Sequence, residues 1–303
     1  MVGERVAIIV NPISGTGGRP ELARRRIAEA EAALAARGTD GRVLATERPG
    51  HGSLLAREAL DAGASLVIAW GGDGTINEVA SELAFRDVSF GVIPSGSGNG
   101  LARELKIPCD IAQAFTTAFA ASERVIDAGE IEGRLFFNVA GVGLDARVAH
   151  EFAVTGLERR GFARYIEIAT QQLWSFQAGK YRIVADGIAT ETRALIVAAA
   201  NGRQYGNGAV IAPDARIDDG RLDVIVVGER SAVRALTQMP KLFSGHIARV
   251  PGITMIPAHD VVITSPDPMI YHADGEPCVG GTSIHIRIRP RALRVRVPSA
   301  SSR

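Results

Sequence analysis

The residues of this sequence that could do chemistry sit in a few short turns. Gly71-Gly72-Asp73-Gly74-Thr75 directly follows the apolar run Leu66 to Trp70 and precedes a helical pattern. A strand that ends in such a loop and opens onto a helix presents unsatisfied backbone N–H groups, and glycines without Cβ let another molecule approach them closely. Asp73 lies among these donors, where a carboxylate can orient N–H groups, hold a metal or take a proton. Late in the chain, Asp274-Gly275-Glu276 follows an expected strand from Pro268 to His272. Residues two apart on an extended chain project to the same side, so both carboxylates could meet a hydroxyl and accept its proton. Asp-Gly is equally a common hairpin turn. Asp218-Asp219-Gly220 offers oxygen ligands suited to Mg2+ or Ca2+, or is simply an acidic turn.

Composition narrows the classes that such turns could serve. With 303 residues, 46% hydrophobic and 22% charged, the chain is globular and long enough for roughly two domains. A net charge of +1 argues against nucleic acid as the main partner. Cys109 and Cys278 are far apart, which fits a reducing compartment and gives no disulfide framework or zinc site. No apolar run is long enough for a signal peptide or a membrane span. The expected location is cytoplasmic, with contact at a membrane surface left open.

Positioning these turns takes an alternation of strands and helices in the first half. Strands are expected at Val6–Val10, Arg42–Thr46, Ser65–Trp70 and Ser89–Ile93, and helices at Glu21–Arg37, Gly50–Asp61, Ile76–Ala84, Leu101–Leu105 and Ile111–Ala121. This is the pattern of a parallel sheet covered on both faces. Loops 11–18, 71–75 and 94–100, all rich in Gly, Ser and Thr, follow strand ends on one edge, where open α/β sheets bind ligands. Together they point to a nucleotide or phosphate site. From about residue 125 the pattern becomes mostly β, with strands at Val125–Ile131, Leu135–Ala140, Tyr181–Ala185, Thr190–Ala200, Leu222–Val227, Val261–Ser265 and Ser283–Val297, the last interrupted at Pro290. Helical segments are expected over Ala146–Phe176, broken near Gly156–Gly161, and over Ser231–Leu242. Residues 1–125 therefore read as a nucleotide-binding α/β domain, 126–298 as a β-sandwich domain, and 299–303 as a disordered tail, with an active site in the cleft between the domains.

Neither the Walker A pattern nor Gly-x-Gly-x-x-Gly is present, because Asn77 stands where the third glycine of the latter would fall. Gly71 to Val79 instead resembles the signature of the diacylglycerol kinase catalytic domain, shared by bacterial lipid kinases, ceramide kinases and sphingosine kinases. Asn11-Pro12-Ile13-Ser14-Gly15, Pro94 to Ala102, Ile217 to Asp223 and His272 to Pro277 resemble further motifs of that family in the same order. Gly-Gly-Asp-Gly-Thr alone is shared with NAD kinases and is related to a phosphofructokinase motif; the ordered set is more specific and covers nearly the whole chain.

The resemblance implies an ATP-dependent kinase acting on a lipid hydroxyl. Carried over, Asn11, Thr46, Gly72, Asp73, Gly74, Thr75, Ile76, Asn77, Glu78 and Ser97 would contact ATP. Glu276 would accept the proton with Asp274 beside it, and Asp73 is the rival base, as the matching residue is in sphingosine kinases. A structural Mg2+, or Ca2+, would be held by Asp219 and the main chain at Arg216 and Arg221. The chain departs from most bacterial members at Asn99-Gly100-Leu101-Ala102, where they have Asn-Asp-Phe-Ala, which leaves a sphingoid or ceramide-type acceptor open beside diacylglycerol. The alternatives are an NAD kinase-like enzyme with a soluble substrate and a nucleotide- or lipid-binding regulator without catalysis. The partners implied are ATP and a lipid at the membrane surface, without nucleic acid; a homodimer is compatible with this. Phe152 to Phe176 mixes apolar side chains with Arg159, Arg160 and Arg164, as either a membrane contact or a packed helix. His285, Arg287, Arg289, Arg294 and Arg296 form a basic strand face, for phosphate or for solvent.

Overall fold

The computed structural model describes residues 4–15, 19–154 and 162–299. The chain divides into two compact units, Met1–Ile126 with Arg291–Arg303, and Asp127–Pro290. The expected break near Gly156–Gly161 and nearly all of the expected tail lie outside the described residues.

The first unit runs β1 (Val6–Val10), α1 (Pro20–Ala35), β2 (Gly41–Ala45), α2 (His51–Asp61), β3 (Leu66–Gly71), α3 (Asp73–Leu83), β4 (Ser89–Pro94), α4 (Gly100–Glu104) and α5 (Ile111–Ala118). Its strands are parallel in the order β2-β1-β3-β4. The chain steps from β1 outward to β2, then back past β1 to β3 and β4. The β1/β3 boundary is thus a topological switch point, where loops at the carboxyl ends of neighbouring strands diverge and leave a crevice. β1, β3 and β4 are buried along their whole length, as continuous apolar runs in a covered parallel sheet should be. The last residues of the chain return to this unit. Arg294 and Val295 pair in parallel with Ser89 and Phe90 of β4.

The second unit opens with β5 (Glu123–Ile131), which starts in the first unit, then β6 (Arg134–Phe136), β7 (Val139–Gly143), α6 (Leu144–Val154) and α7 (Phe162–Ser175). It continues through β8 (Gly179–Ala185), β9 (Ile188–Ala200), β10 (Gln204–Gly206), β11 (Ala209–Val210), β12 (Leu222–Gly228), α8 (Ala232–Gln238) and α9 (Pro240–Phe243). β13 (Ile253–Ala258), β14 (Asp260–Thr264), β15 (Ile270–Ala273), β16 (Glu276–Val279) and β17 (Ser283–Arg296) complete it. The long β9 organises the unit. Ile188 to Ala194 pair with β8, Ile196 to Ala200 pair with β7, and β12 lies along the other edge, all antiparallel. Passing from one ladder to another, β9 curls the sheet into the expected sandwich, closed over Ile183, Val197, Val224, Val261, Ile263, Ile284 and Ile286.

Where elements differ from expectation, the cause is local. The strand expected over Leu135–Ala140 is split at Phe137-Asn138, whose amides donate to the Asp274 carboxylate instead of to a neighbouring strand. The helix expected over Ser231–Leu242 divides at Met239-Pro240, since proline offers no N–H to continue it. β13 and β16 escape sequence reading because each is an end strand carrying a proline, Pro257 or Pro277, a residue tolerated only at edges. The basic strand face is ion-paired. His285 meets Asp260, Arg287 and Arg289 meet Glu130, Arg294 meets Asp87, and Arg296 meets Glu4. In the apolar stretch, Ile168 and Leu173 are buried with Phe152 and Phe176 packed against them, while Trp174 is 63% exposed.

Candidate functional site

The glycine-rich loops of the first unit converge at the switch point. Asn11 follows β1; its amide donates to the Trp70 carbonyl at 2.8 Å and its side-chain Nδ2 to Thr75 Oγ1 at 2.8 Å. Ser14 and Ser95 hydroxyls are 3.3 Å apart, tying the first loop to the third. Helix α3 begins at Asp73, three residues before the sequence pattern suggests. Gly74 and Thr75 are therefore in its first turn, where the amides have no partner within the helix. Gly96 faces Gly72 so closely that a Cβ on it would stand 2.9 Å from the Gly72 Cα; here two backbones touch and only glycine fits.

Asp73 holds the arrangement. Its carboxylate accepts the amide of Asn99 at 2.9 Å and that of Gly100 at 2.7 Å. These are the residues that open α4, so one side chain links the start of α3 to the start of α4. Asn99 sits at φ 51°, a left-handed conformation that asparagine tolerates, and closes its own loop by exchanging hydrogen bonds with the backbone of Gly96. Arg26 reinforces the first loop, donating to the Asn11 carbonyl at 3.1 Å and lying 5.4 Å from the Trp70 ring centre. Its partial burial pulls its pKa below the usual value, against the pull of Glu29.

The other expected nucleotide residues occupy varied positions. Thr46 is buried just past β2, its amide donating to Val10. Ile76 is in the core and its amide donates to Gly72. Asn77 accepts from Ser81. The Glu78 carboxylate takes the amides of Gly50 and Gly52 at 2.8 and 2.9 Å and so holds the start of α2. Ser97 is exposed at the tip of the third loop.

In the second unit, Asp274 and Gly275 form a two-residue hairpin between β15 and β16, with φ 47° and 85°, as in a type I′ turn. The Asp274 carboxylate reaches across to the amides of Phe137, Asn138 and Val139 at 2.8, 2.9 and 3.1 Å. Glu276 is the first residue of β16 and is exposed. Beneath the hairpin lies a buried chain that sequence reasoning missed. The Gly275 amide donates to His272 Nδ1 at 3.3 Å, His272 Nε2 lies 3.1 Å from Asp145 Oδ2, and the Tyr205 hydroxyl donates to that same oxygen at 3.1 Å. At the acidic turn, Asp219 accepts the Arg221 amide at 3.1 Å and Asp127 accepts the Gly220 amide at 2.7 Å. Burial, with Asp219 and Asp214 nearby, raises the Asp223 pKa. Among the described residues no group of three or more His, Cys, Asp or Glu side chains is arranged to hold a metal.

Comparison with known proteins decides the family. The diacylglycerol kinase catalytic domain matches residues 5–131, and the YegS C-terminal NAD kinase beta sandwich-like domain matches residues 138–297. The chain belongs to the family of YegS-like proteins with a diacylglycerol kinase catalytic domain. A family relative from Pseudomonas aeruginosa PAO1, named "Probable lipid kinase YegS-like", is 33% identical over 286 residues, covering 90% of this chain and 91% of its own. One of the same name from Klebsiella pneumoniae is 31% identical, covering 90% and 91%. A solved structure from Bacillus anthracis str. Sterne, named as a candidate diacylglycerol kinase, shares the fold with a TM-score of 0.80 over 99% of both chains at 24% identity.

Among the family motifs, the first unit gathers Asn11, Gly72 to Thr75 and the loop bearing Ser97 at one end of its sheet. Asp274, Glu276, Arg216, Asp219 and Arg221 stand in the second unit. The buried chain under the hairpin had one sequence signal, a histidine two residues before Asp274. Asp145 and Tyr205 had none, because their partners are distant in sequence. No helix among the described residues is long and apolar enough to cross a membrane.

Proposed function

We propose that this chain transfers the γ-phosphoryl group of ATP to the hydroxyl of a lipid alcohol, either diacylglycerol or a sphingoid or ceramide-type lipid. The observation that carries this reading is the convergence of the glycine-rich loops on Asp73, with Asn99 and Gly100 amides fixed on its carboxylate. Phosphoryl transfer rests on positioning and charge neutralisation, and amides locked before the substrate arrives need no reorganisation during reaction. Asn11, Thr46, the Gly72 to Glu78 segment and Ser97 hold the nucleotide. Glu276 takes the proton of the lipid hydroxyl as its oxygen bonds to the γ-phosphorus and ADP leaves. Asp274 fixes the hairpin that carries Glu276. The names of the relatives supply the acceptor class.

Mg2+ bound with ATP supplies positive charge against the phosphates. A second, structural cation, Mg2+ or Ca2+, suits the all-oxygen set of the Asp219 carboxylate and the Arg216 and Arg221 carbonyls. Asp219 and Asp214 add negative charge near Asp223, whose pKa is raised first by burial and then by these two neighbours. The acceptor is reached by a cytoplasmic protein working at a membrane surface, with Trp174 exposed for that contact. A homodimer is compatible with the reaction.

The test is label transfer from γ-labelled ATP to diacylglycerol, monoacylglycerol, sphingosine and ceramide, with NAD as a soluble acceptor. Transfer to a lipid, lost in Glu276→Gln while ATP binding persists, supports the proposal. Transfer to NAD alone supports the soluble-substrate reading, and ATP binding without transfer to any acceptor supports the regulator.

A further inference from the structure

The buried chain beneath the Asp274-Gly275 hairpin determines the tautomer of His272. A backbone N–H can only donate, so the Gly275 amide at 3.3 Å requires His272 Nδ1 to be an unprotonated acceptor. The ring proton is then on Nε2, which donates to Asp145 Oδ2 at 3.1 Å. Asp145 is held in turn by the Ala146 amide at 2.8 Å on Oδ1 and by the Tyr205 hydroxyl at 3.1 Å on Oδ2. His272 and Asp145 side chains are 3% and 2% exposed, so water does not substitute for a lost partner. Even Gly141 belongs to this packing, for a Cβ there would lie 2.6 Å from Asp145 Oδ2. The hairpin is thus gripped twice, by the Asp274 carboxylate on the amides of residues 137–139 and by His272 on the amide of Gly275, the residue directly before Glu276.

We propose that His272, oriented by Asp145 and Tyr205, is a positioning residue that sets the backbone at Gly275 and thereby aims the Glu276 carboxylate. The inference rests on the reading of Glu276 as the base. It concerns the rate of the chemical step, because a carboxylate displaced by about 1 Å loses about 100-fold in an oriented reaction, while nucleotide binding is served by other residues.

Side-chain geometry provides a selective test. The Oδ1 of asparagine falls where histidine has Nδ1, and the Nε2 of glutamine falls where histidine has Nε2. His272→Asn can therefore keep the Gly275 bond and lose Asp145, whereas His272→Gln keeps Asp145 and loses Gly275. Both are compared with His272→Ala in steady-state kinetics on the acceptor found active and in thermal melts. The expected result is that kcat falls about 100-fold in His272→Ala and His272→Gln, recovers at least about tenfold in His272→Asn, and KM for ATP is unchanged in all. Equal kcat in the Asn and Gln variants, or a kcat that follows the melting temperature alone, overturns the inference. Should these variants fail to fold, the 15N spectrum of the wild-type imidazole reads the tautomer directly, and a proton on Nδ1 overturns it. Full activity in Glu276→Gln instead removes the underlying assignment of the base, whatever the His272 variants do.

Discussion

Replacing Asp73 with Asn separates its two candidate roles. In the protein, the Asn99 and Gly100 amides lie 2.9 and 2.7 Å from its two carboxylate oxygens. A hydrogen bond to a charged acceptor contributes about 1.5–3 kcal/mol. Asparagine keeps one acceptor oxygen, now neutral and worth about 1 kcal/mol, and turns an NH2 group toward the other amide. The net loss is about 3 kcal/mol, and it falls on the link between the starts of α3 and α4. If all of it appears in nucleotide binding, affinity drops by about 100-fold at most, since 1.4 kcal/mol is a factor of about ten. Calorimetric titration with Mg·ATP in the absence of lipid should show Kd raised about 10- to 100-fold. With ATP saturating, kcat should stay within about tenfold of the parent. The opposite pattern refutes this reasoning: unchanged ATP affinity, a kcat lower by about 1000-fold, and loss of the acidic limb of the pH–rate profile. That result would make Asp73 the base and leave Glu276 a subsidiary part.

Three further outcomes follow from the same coordinates. Gly98→Ala places a Cβ 2.6 Å from Asp73 Oδ2, so it should weaken ATP binding in the same direction as Asp73→Asn, and titration of the double variant should show less than the sum of the two losses. Asp219→Ala should abolish the rise in melting temperature that Mg2+ or Ca2+ gives over a chelator, if the acidic turn holds a structural cation; a rise of equal size in the variant would remove that assignment. Asp186 accepts the His259 ring and the His259 and Asp260 amides, and these bonds lower its pKa. Its contribution is therefore present above the ordinary carboxylate value and lost as pH falls through the lower folded value. The melting-temperature gap between the parent and Asp186→Asn should be open near about pH 6 and should close in strong acid.

Much of the first unit was readable because its signals are local. A buried parallel strand is a continuous apolar run, so Val6–Val10 matches residue for residue and β3 and β4 come within a residue at each end. The second unit was legible as β but not in its pairing. β9 divides its length between β8 and β7, and no feature of Ile188–Ala200 announces the change of partner. Bonds between segments were invisible for the same reason. Glu78 looks like one more member of the loop motif, yet its partners are Gly50 and Gly52, and nothing near Asp145 in sequence points to His272 or Tyr205. The motif residues were found; what each one holds had to come from the fold.

That distinction bears on which acid can take a proton. The acidic residues of the motifs do not stand in equivalent surroundings. Asp73 holds two amides, Glu78 holds two, and Asp274 holds three. Each of these carboxylates joins segments distant in sequence, and protonating one would weaken bonds that shape the loops. A base must gain and lose a proton in every turnover, so its lone pairs should not also be the fastening of the scaffold around it. Glu276 stands at the exposed start of β16, and its proposed role as base is tested by the loss of transfer in Glu276→Gln. Asp274 and His272 secure the turn just before it. The motif Asp274-Gly275-Glu276 then reads as a hairpin fastened through Asp274 that presents Glu276, the carboxylate we propose as the base.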